Sequence, residues 1–279
     1  MDLKQCTVDG AAIAYSDTGT GPTVLFVHGV YVTGALWDDV VAELGGHFRC
    51  IVPTWPLGAH APVADGVDLG AEAAGRRIVH LLEALDLRDV TVVANDTGGG
   101  LTLAALGDPT LDQSRITKYV FTNSDSYEHF PPGSFRQIVR VCRLSPWLGG
   151  LILRLLASGP GQDFFLKQVS KTTVSPARKS AIFGAFATNP ESRRQAVAVT
   201  ASLDPVLTLR ASTAIEQFDG PVTLAWGTED QLFPVDHARR LAGAFPRARL
   251  VEIPNCSTYV MLDAAQRLAA EISSTASAG

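Results

Sequence analysis

Four cysteines, Cys6, Cys50, Cys142 and Cys256, are all that the 279 residues contain, and they lie far apart with no C-x-x-C spacing. That excludes a disulfide framework and a zinc knuckle, and it predicts buried, reduced thiols. No H-E-x-x-H occurs either, so neither a metal nor another cofactor is expected. Long apolar runs are missing: the best stretch, Pro146 to Ala157, is short and interrupted by Arg154. The opening Met1 to Cys6 lacks the layout of a signal peptide, which leads to the expectation of a cytoplasmic protein without membrane contact. Basic residues do not predominate, with 23 Lys and Arg against 28 Asp and Glu, a net charge of −5. Such a chain offers no counter-ion-releasing footprint, so nucleic-acid binding is not expected. Glycine (25) and proline (16) are too sparse for a collagenous or low-complexity sequence. What remains, 46% hydrophobic and 18% charged, is a globular balance with material for a substantial core.

Short β-branched runs bounded by Gly, Pro or Asp recur: 23–27, 49–52, 90–94, 118–121 and 221–225. Runs of this kind suit strands buried on both faces. Helical patterns lie between them, as in 78–87, where Ile78, Leu81, Leu82 and Leu85 share one face. The alternation predicts an α/β fold with a mostly parallel sheet. It stops near Tyr127 and resumes near Gln217, so residues 129–209 read as an inserted helical cap on a core of 1–128 and 210–279. Charge follows that division. Arg136 to Arg210 holds 11 basic and 3 acidic residues, a surplus of +8, leaving −13 elsewhere. The cap cations are either a solvated helix surface or a steering field for a small-molecule substrate that is anionic or carried by an acidic partner. The oligomeric state is not legible. The final Ser273 to Gly279 is expected to fray.

The segment Val92-Val93-Ala94-Asn95-Asp96-Thr97-Gly98-Gly99-Gly100 is a strand running into small residues and then a helical pattern. A sharp strand-to-helix turn needs small neighbours, lifts one side chain into a site and aims the helix N-terminus at it. The lifted residue would be Asp96, with a plain helix N-cap as the alternative.

Three further segments complete a pattern. Val27-His28-Gly29-Val30 follows an early strand, with Trp37 shortly after; Ala225-Trp226-Gly227-Thr228-Glu229-Asp230 ends a late one; Ile253 to Val260 forms a loop near the C-terminus. Together they resemble the α/β-hydrolase fold family, and the Asp at the elbow resembles its haloalkane dehalogenase and epoxide hydrolase branch. The resemblance implies an α/β-hydrolase fold, mostly parallel sheet flanked by helices, with an inserted cap. It also implies an oxyanion hole from the N–H groups of Val30 and Thr97, and a nucleophile and acid in Asp96 and Asp230. The family's histidine is missing: Ser257-Thr258 stands where Gly-His is usual, and no histidine follows His237. Dehalogenases of this layout carry Trp after the nucleophile and often Asn after His-Gly; here Thr97 and Val30 stand there. The tyrosines that epoxide hydrolases place in the cap have no counterpart between His129 and Leu209.

His129 and His60 leave from strand C-terminal ends, the side where open α/β sheets bind ligands, and either could replace the absent base; a hydrogen-bonded or solvent-facing histidine is the other reading of each. His28 is read as structural, and His47, His80 and His237 as surface residues. Asp125 is either a second carboxylate beside Asp96 or a turn former. A substrate pocket is expected from Trp37, Tyr31, Asn95, Asn123, Phe130, Trp147, Thr258 and Tyr259, and Phe135, Leu151, Leu155, Phe164 and Phe165 either extend it or pack as core.

Three functions compete. In the first, Asp96 is a general base or acid for non-hydrolytic isomerisation, cyclisation, elimination or C–C cleavage of a small apolar substrate. The second is a dehalogenase-like, epoxide or ester hydrolase using Asp96 as nucleophile with a substitute base. The third is an inactive, ligand-binding homologue.

Overall fold

The computed structural model describes residues 3–278. Eight strands form one sheet: β1 (Lys4–Val8), β2 (Ala11–Thr18), β3 (Thr23–Val27), β4 (Arg49–Thr54), β5 (Val90–Asp96), β6 (Ile116–Ser124), β7 (Val222–Gly227) and β8 (Ala248–Ile253). Their order across the sheet is β1-β2-β4-β3-β5-β6-β7-β8. β2 pairs antiparallel with β1 and β4, and every other pairing is parallel. The five apolar runs are β3 to β7, whose residues are buried almost throughout. The flanking strands β1, β2 and β8 went unread in the sequence because they sit toward the sheet edges and mix exposed with buried positions, which dilutes the apolar signal.

Helices cover both faces. The amphipathic pattern near 78–87 is the helix Ala71–Ala84, with Ile78, Leu81 and Leu82 buried against the sheet. Between β6 and β7 the chain runs through the helices Arg136–Leu144, Pro146–Leu156, Gly159–Val169, Pro176–Thr188, Pro190–Ser202, Pro205–Leu209 and Ser212–Gln217, five of them started by Pro in the first turn. This region is tied to the core by specific bonds. Thr33 N donates to Ile182 O at 2.8 Å, Ser192 Oγ to His60 O at 2.8 Å, and the Tyr31 hydroxyl pairs with Thr200 Oγ1 at 2.6 Å.

Two expectations are corrected. Ser273 to Ala276 do not fray but close the helix Ala265–Ala276, where Thr275 Oγ1 meets Thr223 Oγ1 at 2.7 Å; Gly279 lies outside the described residues. Trp147, Leu151, Leu155 and Phe164 do not face a pocket under the cap. Trp147 is 76% and Leu155 64% exposed, because their helix packs through its small and opposite face, Gly149 and Leu153. Among the described residues the cysteines are unpaired, and no helix is long and apolar enough to cross a membrane.

Candidate functional site

Parallel strands carry their C-terminal ends to one side of the sheet, and β3, β5, β6 and β7 deliver there His28, Asp96, Asp125 and Asp230. Asp96 ends β5 with φ 53° and ψ −134°, and the helix Thr97–Leu106 begins at the next residue. An ordinary N-cap lies in the extended region and bonds the first turn through its side chain; Asp96 does neither. Its backbone is held where few L-residues sit, which is the cost of turning a strand into a helix within one residue.

The small residues around it are required by contact. A Cβ on Gly29 would lie 2.0 Å from Asp96 Oδ2, so the carboxylate rests directly on the turn after β3. A Cβ on Gly98 would strike the Val27 and His28 carbonyls at 2.6 Å, and one on Gly99 would strike Ser124 Cβ at 2.3 Å. At Gly100 it would meet Phe130 at 2.8 Å and Asp125 at 2.9 Å. The glycine run therefore lets the helix N-terminus press against both neighbouring strand ends.

Desolvation raises the Asp96 carboxyl to about 7, opposed by the Thr97 N–H and assisted by the charge of Asp230. Asp125 is fully buried, neither of its carboxyl oxygens has a partner, and burial together with Asp96 pushes it well above the carboxylate range. It is a buried carboxyl beside Asp96 held toward its protonated form, and the sequence suggested such a pair only as one reading of a turn residue. Two tyrosines approach from the core loops. Tyr31 and Tyr259 are fully buried and shifted upward by burial, with Asp96 adding to both. The Tyr259 hydroxyl has no partner, whereas Tyr31 stacks on Phe186 at 4.7 Å and lies near Phe135.

Asp230 is buried and fully engaged. Its Oδ1 accepts from Leu232 N at 2.7 Å and Phe233 N at 3.2 Å, and its Oδ2 from Asn123 Nδ2 at 2.8 Å. Burial raises its carboxyl despite these donors. Thr258 lies close enough to act on that ionisation, but its Oγ1 is outside hydrogen-bonding geometry. Asn95 Nδ2 donates to Thr122 Oγ1 and Thr258 O at 2.8 Å and to Asn123 O at 3.1 Å. The amides of Asn95 and Asn123 thus tie the ends of β5 and β6 to the loops that follow β7 and β8, with Asn95 Oδ1 left without a partner. Trp37 is packed in the core 5.1 Å from Phe26, and Phe130 is buried against Gly100.

Neither candidate histidine is brought to Asp96. His60 is buried, its Nε2 meeting Gln195 Oε1 at 3.0 Å and its Nδ1 accepting from Gly58 N at 3.1 Å; burial lowers it to about 4. It clasps the core to the helix Pro190–Ser202. His129 stacks on His237 at 3.8 Å beside Glu128, partly exposed. His28 donates from Nδ1 to Gly29 O at 2.7 Å and accepts Trp55 N on Nε2 at 2.9 Å, so it shapes the turn after β3. Among the described residues no histidine hydrogen-bonds Asp96 or Asp230, and no cluster able to hold a metal ion is present.

The chain is 28% identical over 273 residues to haloalkane dehalogenase 2 of Mycobacterium tuberculosis (strain ATCC 25618 / H37Rv), covering 93% of this chain and 90% of that one. A shorter match, 41% over 98 residues, joins it to a non-heme chloroperoxidase of Kitasatospora aureofaciens, covering 34% of this chain and 35% of the other. In fold it is similar to haloalkane dehalogenase DbeA from Bradyrhizobium elkani USDA94, with TM-score 0.80, 19% identity and coverage of 100% and 99%. An α/β hydrolase fold protein from Burkholderia ambifaria gives TM-score 0.82 at 19% identity, covering 98% and 97%. The family model for the α/β hydrolase fold matches residues 22–265, and with the topology above this makes the chain a member of the α/β-hydrolase fold family and an enzyme of that superfamily.

Proposed function

We propose that Asp96 is a nucleophile toward an electrophilic carbon of a small, apolar substrate, as in a dehalogenase-like reaction. An Asp96 carboxylate oxygen forms the new C–O bond, the bond to the leaving group breaks with its electron pair, and an ester of Asp96 results. Water adding at the ester carbonyl would return the carboxylate and release an alcohol. That second step needs a base, and Thr258 stands where one is called for, so the ester should persist. The observation that carries this reading is the placement of Asp96, at φ 53° on a helix N-terminus with Oδ2 against Gly29, in a lined and mostly buried site. The long match to haloalkane dehalogenase 2 supports it. The test is intact-protein mass after exposure to short haloalkanes, epoxides and esters. A persistent gain mapped to Asp96 and absent from Asp96→Asn is expected; no gain and no turnover with any of them would overturn it.

A second reading is favoured by the Asp96 carboxyl at about 7 and the buried, upward-shifted Asp125 beside it. An acid poised near neutrality beside a second carboxyl raised by burial suits proton transfer, so a non-hydrolytic isomerisation, elimination or C–C cleavage would run on the same residues. It predicts Asp96-dependent exchange of carbon-bound protons with deuterated solvent from carbonyl substrates, with no mass gain.

A further inference from the structure

The helices Arg136–Leu144, Pro146–Leu156 and Pro190–Ser202 enclose a cleft of about 900 Å³ on the outer side of the inserted region. Ligand sites commonly fall in this range of volume. One wall is apolar, with Trp147 76% and Leu151 46% exposed beside Val197 and Ala198. The other three tryptophans, Trp37, Trp55 and Trp226, are buried, so Trp147 stands out as a large apolar surface left in water. Leu144, Leu148 and Leu155, on the first two of these helices, are also exposed.

The polar side of the cleft is cationic and contains no carboxylate among its lining residues. Arg143 donates to the carbonyls of Ala201 and Leu203 at 3.0 and 3.1 Å and pairs with Asp204 at 3.7 Å, and Arg194 is paired with Glu191 and Asp65. Arg193 reaches only the Phe186 and Ala187 carbonyls, at 2.8 and 3.1 Å, and Arg154 has no ion pair or hydrogen bond among the described residues. Arg193 and Arg154 line the same cleft and neither has a carboxylate partner among the described residues; burial and then the charge of Arg154 push Arg193 downward. An anion between them would relieve that repulsion, and guanidinium groups bind carboxylates in forked geometry.

We propose that this cleft binds a single-chain anionic amphiphile of the long-chain carboxylate class, its head group on Arg154 and Arg193 and its alkyl chain on Trp147, Leu151 and Val197. The shape asks for both halves of such a ligand. A small inorganic anion leaves the apolar wall wet, and a neutral alkane leaves the paired charges unrelieved. Association of two copies through this face would set one cationic face against another. The inference is independent of the role given to Asp96.

Trp147 supplies the reporter. Dodecanoate added to the full chain below its micellar concentration should shift the exposed tryptophan emission to the blue and protect it from iodide, saturably. The signal should vanish in Trp147→Phe, while calorimetry still detects binding there. Arg154→Gln, at an exposed residue without partners, should keep its unfolding temperature and bind about tenfold more weakly. Dodecanol should bind at least tenfold more weakly, and dodecyltrimethylammonium should not bind. No saturable response to dodecanoate, or equal responses to dodecanoate and dodecanol, would overturn the proposal. So would a response confined to phosphatidylglycerol vesicles, which would make this face a membrane-adsorbing surface instead.

Discussion

The Asn123 side chain holds Asp230 without any histidine: Nδ2 donates to Asp230 Oδ2 at 2.8 Å while Asn123 Oδ1 accepts Gly227 N at 2.7 Å. The acid at the end of β7 is therefore oriented from the neighbouring strand, and backbone N–H groups of Leu232 and Phe233 occupy its other oxygen. All of these bonds are made inside the core, so the loop carrying Thr258 can change its side chain without releasing the acid.

That independence makes Thr258→His informative. A histidine between Asp230 and Asp96 would supply the base that ester hydrolysis needs, so an Asp96 ester trapped in the parent should turn over in the variant. Paired time courses of intact mass after alkylation check this. A folded variant that retains its ester as long as the parent would count against Thr258 marking the position of the base.

Asp96 protonates at about 7 in the fold against 3.8 for the free side chain, so the folded state binds the extra proton between those values. Its contribution to stability is full below about pH 4 and is lost as pH rises through 7. Asp96→Asn removes this slope and should gain a few kcal/mol relative to the parent at pH 8 compared with pH 4, since each tenfold change in proton affinity is worth about 1.4 kcal/mol. Asp230 is also raised by burial and is common to both proteins, while in Asp96→Asn the carboxyl of Asp125 loses only the part of its rise that the Asp96 charge supplies. Urea unfolding at the two pH values measures it, and parallel pH dependences would contradict the burial cost assigned to Asp96. The same substitution should lower activity by at least ~10².

Gly29→Ala should separate chemistry from folding. The added Cβ would lie 2.0 Å from Asp96 Oδ2, so the carboxylate has to move. A displacement of about 1 Å can cost on the order of 10² in rate, and the expected loss is of that size with the protein still folded by circular dichroism. Unchanged adduct formation with a panel of electrophiles would show that the carboxylate works from elsewhere.

His60→Ala tests the clasp between the loop after β4 and the helix Pro190–Ser202. It deletes buried bonds to Gln195 and Gly58, and should lower stability by about 1–3 kcal/mol. Any activity should keep its pH profile, because the His60 ring is turned to Gln195 and not to Asp96. A lost acidic limb in that profile would return His60 to the chemistry as a base.

The sequence by itself determined the strand interiors and the elbow. β3 to β7 are apolar on both faces, and the run Asp96 to Gly100 combines an acid with small residues that only a close approach requires. It also showed that no histidine follows His237, which needed no coordinates. Tertiary structure decided where the side chains point. His60, near a strand end, and Trp147, in an apolar helix, have the composition of site residues; one is turned into a clasp, and the other faces water because Gly149 and Leu153 take the packing face. Asp125 is shifted upward by desolvation and by the charge of Asp96, both of which depend on what surrounds a carboxyl in space and not on its neighbours in the chain.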